Sequence, residues 1–359
     1  MTSSESVITR RSRILGALLG VHAGDSLGAT LEFLSWSQIQ SSHPSGLREI
    51  IGGGHFSWPA GHATDDTDLT RAVLLAYRDF ATGQGRPKGA DVIELAAKNM
   101  VDWYDGRGWP GRVRGETPRD VGGATGVGIR RYKAGGDYKV SGAGEGKAGN
   151  GSLMRCIPTG LFVRDGERLV RESVAISGVT HDDGHCVVAC VAYNGIVRAL
   201  VGGRGVREAV EEGKGLVGGC VEGMGGGAKM ELVGRRVEAA MEAGRELVTV
   251  KELAEEGPKG AKNGPKVLPF KGAGYVLESL TIAVAALVDP RPLEDVLVDV
   301  VRIGKDTDTN GAIAGGLLGA RDGVEGIPAR WREKLQFGKE FEEVVDEILA
   351  TESAEGHEQ

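Results

Sequence analysis

The chain is short of most features that assign a protein quickly. It has four cysteines, Cys156, Cys186, Cys190 and Cys220, scattered and with no CxxC pair, which excludes a disulfide framework and fits a reducing compartment. It has no excess of positive charge: 43 Lys and Arg stand against 50 Asp and Glu, a formal net charge of -7. A general nucleic-acid binder, whose phosphate contacts want a basic face, is therefore not expected. No uninterrupted apolar run approaches the roughly 18 to 20 residues of a membrane span, and the polar start MTSSESVITRRSR has no signal-peptide core behind it. Period-2 alternation is almost missing, so helices must make the fold. The expectation is an intracellular, most simply cytoplasmic, all-α protein with no nucleic-acid or membrane partner, taken as a monomer.

What is present is a composition able to bury a large core: 359 residues, 40% hydrophobic and 26% charged. The helical pattern reads as one compact domain over 9–350, with an irregular glycine-rich segment at 202–266 and a disordered tail at 351–359. Ile14–Ala29 carries small and apolar residues at helical spacing, and Gly16, Gly20 and Gly24 leave one face bare for a neighbouring backbone or ligand. Glu32 follows. From position alone, a solvated surface carboxylate is the simpler reading, with a buried ligand as the alternative.

Two acidic stretches carry the chemistry. Asp306, Thr307, Asp308 and Thr309 open a small-residue helix pattern, and far upstream Thr64, Asp65, Asp66, Thr67 and Asp68 open another. Either one alone reads as a capped helix start, since Asp and Thr oxygens accept the free N–H groups of a first turn. Together they offer the all-oxygen donors that a hard divalent cation takes. Three acids within Asp65–Asp68 also exceed what capping needs, and their repulsion calls for solvent or metal.

Other motifs are weaker. The stretch GAGEGKAGNGS fails as a phosphate loop because Ala148 stands where Ser or Thr should follow Lys147. What remains is Gly149–Ser152 ahead of the apolar LMRCIPTGLF, whose N-terminal amides suit phosphate oxygens. His181 and His185 sit four apart, as do Cys186 and Cys190, but Gly184 interrupts and no HExxH follows; a turn with His181 facing a ligand is preferred over zinc. Arg171–Leu200 reads as two helices broken at SGVTHDDGH, Gly272–Val288 as a long core helix, and Pro328–Leu335 as part of a closing helix. Phe56, Trp58, Trp109 and Tyr132 are candidates for stacking on a base.

The ordered set GDSLGATLE, GHATDDTDLT, RDVGGATGVGIRRYKAG, GNGSLMR, SGVTH, GYVLESLTIAV and GKDTDTNGAIAGGLLGA closely resembles the ADP-ribosylglycohydrolase family over roughly Ile14–Trp331. The resemblance implies a compact orthogonal helical bundle with two ions, Mg²⁺ or Mn²⁺, in a cleft. By motif position it implies Thr64, Asp65 and Asp66 as one ligand group and Asp306, Asp308 and Thr309 as the other. Glu32 matches the catalytic or gating glutamate, with Asp65 or Asp66 positioning water through metal. Gly122 and Gly123 line the cleft, Asn150, Gly151 and Ser152 match a phosphate-contacting loop, and His181 matches a ligand-binding histidine. The implied activity is hydrolysis of an α-linked ADP-ribosyl group from a protein side chain or small conjugate, releasing ADP-ribose. A catalytically silent ADP-ribose-binding module and a two-metal phosphohydrolase are the competing readings. Lys305 departs from the glycine pair often found before the second motif.

Overall fold

Two glycine-faced helices form the spine. In the computed structural model, which describes residues 8–247, 249–257 and 274–355, the first half of the chain gives α1 (Arg10–Gly28), α2 (Trp36–Ser42), α3 (Asp65–Thr82), α4 (Val92–Tyr104), α5 (Gly123–Gly135), α6 (Ile157–Phe162), α7 (Gly166–Gly178) and α8 (Gly184–Val201). The second half gives α9 (Val206–Met224), α10 (Gly227–Glu246), α11 (Lys251–Glu256), α12 (Val276–Val288), α13 (Leu293–Arg302), α14 (Thr307–Asp322), α15 (Ala329–Arg332) and α16 (Gly338–Glu355). No strand occurs among the described residues, only two isolated bridges, Gly53 with Trp58 and Gly149 with Tyr275.

The bare face of α1 meets the bare face of α14. A Cβ at Gly16 would stand 2.5 Å from the Gly319 carbonyl oxygen, and Gly20 and Gly24 meet the Gly315 and Gly311 carbonyls more closely still. The relation is reciprocal, Gly311, Gly315 and Gly319 having no room for a side chain against α1. Of the two guests the glycines allowed, a backbone is the one that fills the face. The end of α1 is then tied to the start of α14 by Thr307 Oγ1 donating to Gly28 O at 2.7 Å. Because α3 also starts beside α1, this crossing brings the two acidic motifs to one end of the bundle.

Around the spine, α8 and α12 are buried on nearly all sides, as expected of core helices apolar around their circumference. The 18 residues of α8 have the mean hydropathy of a membrane span, 1.5, but 83% of them are buried inside the bundle. The break between α7 and α8 falls where SGVTHDDGH predicts it.

Three expectations need correction. The described part of the 202–266 segment is more regular than its glycines suggest, forming the long helices α9 and α10; buried stripes including Val210, Val217, Val237 and Met241 outweigh low helix propensity. Residues 258–266, and Gly272 and Ala273 of the predicted core helix, lie outside the described residues. Of the expected disordered tail, residues 351–355 instead continue α16; residues 356–359 lie outside the described set. Finally, Pro328–Leu335 holds only the one-turn α15, and the closing helix is α16.

Candidate active site

Seven carboxylates from four separated segments converge at the α1–α3–α14 end. Asp25 lies within α1 and is fully buried. Its Oδ2 accepts from the backbone N–H of Thr64 at 3.1 Å and of Thr67 at 3.2 Å, and from the Thr67 hydroxyl, which pins the start of α3 to α1. Thr64 is the α3 N-cap, its hydroxyl accepting from Asp66 N at 3.3 Å and donating to Asp66 Oδ2 at 3.2 Å. Thr309 Oγ1 reaches the same Asp66 oxygen at 3.3 Å and so joins the two motifs directly. Asp306 occupies the N-cap position of α14 without making a cap bond; its Oδ2 accepts instead from Asn150 Nδ2 at 2.7 Å. The Asp306 side chain therefore does not serve as the cap that the second motif suggested.

Glu32 is only 7% exposed, so burial replaces the surface position that its sequence neighbours favoured. One carboxylate oxygen each from Glu32, Asp120 and Asp308 lie within 4.8 Å of one another. Burial, then the charges of Asp65 and Asp306, push the Glu32 carboxyl up to about 8. Burial likewise raises Asp65 to about 7 and, with Asp65 and Glu32 nearby, Asp120 to about 9. Asp66 and Asp308 are pushed well above the carboxylate range by burial and by each other's neighbours, and Asp25 to about 6.

Four buried oxygens of this group, Asp25 Oδ1, Glu32 Oε2, Asp66 Oδ1 and Asp120 Oδ2, have no hydrogen-bond partner among the described residues. Unpaired buried carboxylate oxygens are costly, and a cation among them removes the cost. The donors are carboxylates and threonine hydroxyls with no thiolate or imidazole in the group, which fits a hard divalent ion such as Mg²⁺ or Mn²⁺. The zinc alternative does not assemble: His185 Nδ1 is held by Asp183 at 2.9 Å, and Cys186 and Cys190 donate to Gly149 O and Ser152 Oγ.

The remaining predicted residues form the adjoining wall. Gly122 N donates to Asp65 Oδ2 at 3.4 Å, and exposed Gly122 and Gly123 lead into α5. Asn150 bridges Asp306 and Ser279, the latter at 2.9 Å, and so acts first as a tether. Gly151 packs over His181: a Cβ there would stand 2.9 Å from the imidazole Cε1 and from Thr125 Oγ1. His181 is buried and bonded through Nδ1 to Thr180 at 2.8 Å; burial and then Arg155 hold it down to about 3, keeping it neutral. The Ser152 hydroxyl is buried and engaged by Ser177 at 2.9 Å, so it faces the core. The stretch after it is a single 3₁₀ turn and the six-residue α6, too short for the helix-dipole argument.

The sequence reading missed Asp25, Asp120 and Thr125. Asp25 carried a signal, a lone acid within a helix that reads as entirely buried. Asp120 carried little, being one of two acids, with Glu116, in an arginine-rich loop. Thr125, whose buried hydroxyl is unpartnered, carried none. Conversely, Asp68 leaves the cluster: its two oxygens accept from Trp103 Nε1 and Trp109 Nε1, both at 2.8 Å. Trp109 is thereby buried, with the Arg71 guanidinium 4.3 Å above its ring, and is removed as a base-stacking candidate. Tyr132 lines a different groove with Glu94 and Lys98. Trp58 borders a pocket of about 230 Å³ that opens beside Thr64, Asp65 and Asp120.

With this geometry in place, similarity to known proteins is informative. The family model for ADP-ribosylglycohydrolase matches residues 6–358. The chain is 29% identical over 344 residues to an ADP-ribosyl-[dinitrogen reductase] glycohydrolase of Rhodospirillum rubrum, covering 94% of this chain and 96% of that protein. It is 27% identical over 338 residues to the ADP-ribosylarginine hydrolase Tri1 of Pseudomonas putida (strain GB-1), covering 94% and 78%. A solved structure described as an ADP-ribosylglycohydrolase-related protein complex superposes with a TM-score of 0.69 at 26% identity, covering 95% of this chain and 98% of that one. The chain, with its acids gathered at the α1–α14 crossing, belongs to the ADP-ribosylglycohydrolase family.

Proposed function

We propose that this protein hydrolyses the bond between ADP-ribose and an acceptor side chain, using divalent ions held at the α1–α3–α14 end. The observation that carries this is the set of buried, unpartnered carboxylate oxygens on Asp25, Glu32, Asp66 and Asp120, an arrangement built for cations rather than for packing. Thr64, Asp65 and Asp66 would hold one of two ions and Asp306, Asp308 and Thr309 the other, with Asp120 as an added candidate. When bound, Mg²⁺ or Mn²⁺ supplies charge neutralisation and Lewis acidity toward the ribose hydroxyls.

The chain's own groups do the rest. Asn150 holds Asp306 in place, and Gly122 N–H orients Asp65. The exposed amide of Gly123 and the Gly151 loop over His181 are candidates for the diphosphate, with Thr125 as a further hydroxyl donor. Glu32 is the proton-handling group. Its carboxylate lies with those of Asp120 and Asp308, and once the bound ions neutralise its acidic neighbours it is free to take a proton from water attacking the anomeric carbon as oxocarbenium character develops.

Arginine is the first acceptor to test, because two relatives matched over 94% of this chain are named for ADP-ribosyl-[dinitrogen reductase] and ADP-ribosylarginine hydrolysis. The protein should be incubated with Mg²⁺ or Mn²⁺ and with arginine-linked, serine-linked and dinucleotide substrates, and products resolved by chromatography. Release of ADP-ribose is expected, with Glu32→Gln lowering kcat by about 10²–10⁴-fold while ADP-ribose still binds. Binding without release would favour a silent module, and phosphate or AMP release a phosphohydrolase.

A further inference from the structure

We propose that a partly exposed aromatic ladder beside the acids, with Phe33 at its open end, docks the polypeptide that bears the ADP-ribosyl group, so that the protein prefers protein-linked ADP-ribose to small conjugates. This rests on the ADP-ribosyl hydrolase reading above. Phe33, 54% exposed, lies edge-on to His55 at 5.0 Å and to Phe56 at 6.0 Å between ring centroids. Phe56 continues to Trp58 at 5.7 Å, and Trp58 stacks on His62 at 4.7 Å. The ladder begins one residue after Glu32 and ends in the pocket that opens beside Asp65 and Asp120.

The backbone fixes this display at a cost. Phe33 has φ +66° and Ser57 φ +55°, left-handed conformations that favour glycine; for a bulky aromatic this is uncommon. Phe33 is held there by donating to Lys305 O, while Lys305 N donates to Leu34 O, both at 2.7 Å. The Ser57 turn is closed by paired bonds between Gly53 and Trp58 at 2.7 and 2.8 Å. Strain of this sort persists where it serves a site, and here it turns an aromatic ring toward water.

The occupant follows from continuity and charge. A small conjugate ends at its acceptor group, whereas a polypeptide bearing the group continues past the acids, and the ladder is the aromatic surface that lies beside them. Exposed rigid aromatics are the usual anchors of polypeptide contacts. Val113, 57% exposed, lines the same pocket as Trp58 and adds apolar surface there. Arg119 lines the pocket and makes no side-chain hydrogen bond or ion pair among the described residues, a free positive charge that suits an acidic residue near the modified one.

The test uses the full chain with Mg²⁺ in a Glu32→Gln background, to stop turnover. Fluorescence anisotropy is measured for a labelled ten-residue arginine-ADP-ribosylated peptide with an apolar and an acidic flank, and for labelled free ADP-ribose. The peptide is expected to bind at least fivefold tighter, with Phe33→Ala and Phe56→Ala each bringing that ratio toward one. Thermal melts check folding, and if Phe33→Ala does not fold, Phe56→Ala carries the test. Equal binding of the two ligands, or a ratio that survives both substitutions, overturns the proposal. If the ratio behaves as expected but the unsubstituted chain releases no ADP-ribose, the docking surface stands and the hydrolase reading falls.

Discussion

Lys305 shows how one position can look chemical and be conformational. It stands next to Asp306, where a charge invites an electrostatic role, yet it is exposed and its side chain makes no ion pair or hydrogen bond among the described residues. Its backbone carries the meaning: φ is +72°, and its N–H and C=O pair with Leu34 and Phe33. A non-glycine residue there costs about 1–2 kcal/mol, against about 0.5–1 kcal/mol for the extra unfolded-state freedom of glycine. Lys305→Gly is thus expected to raise stability by up to about 1 kcal/mol, read as a small increase in denaturant midpoint at unchanged slope. A clear loss of stability would show that the lysine side chain, not its backbone, matters.

At the scale of elements, the α1–α14 crossing decides whether the site exists. The Gly16, Gly20 and Gly24 spacing was legible as a bare face, but nothing local says which helix fills it. Gly20→Val would drive two methyl groups into the Gly315 carbonyl and should cost about 3 kcal/mol or more, at the upper end of overpacking penalties. Because Thr307 and Gly28 sit at the same crossing, separating the helices also parts Asp66 from Thr309. Mn²⁺ affinity, measured by electron paramagnetic resonance on the folded fraction, should therefore fall together with stability. Intact Mn²⁺ binding in a destabilised variant would mean that the acids assemble without the crossing. By contrast, Arg48, Glu49, Glu294 and Arg330 form a largely exposed ion-pair network, whose loss should matter little.

For the whole molecule, the gathered acids set a pH dependence. Glu32, Asp65 and Asp120 hold protons in the metal-free fold up to about 8, 7 and 9, whereas in the unfolded chain they lose them near 4. The folded state thus binds more protons than the unfolded state across that interval, so stability must fall as pH rises through it. Buried His22 and His181, held down to about 4 and 3, act in the opposite sense but only below their ordinary value near 6.5. The clean window is therefore pH 7 to 9. In chelator, Tm should decline across it; with excess Mg²⁺ the decline should flatten and Tm rise, since an ion bound only by the folded state stabilises by about 2.7 kcal/mol at a hundred times its Kd. A Tm that is flat in chelator, or indifferent to divalent ions, would count against an ion site here.

By itself the sequence determined the helical class, the two acidic helix starts and the glycine faces, because helical periodicity, turn chemistry and motif order are written locally along the chain. It could also mark Glu32, though only through resemblance, since its neighbours favoured the surface. Only the tertiary structure decided which acids share one volume: Asp25 and Asp120 joined, Asp68 turned away to two indoles, and Ser152 turned to the core. Membership depends on where helices cross and which donors arrive from distant segments. Those are properties of packing between residues far apart in the chain, and no local pattern encodes them.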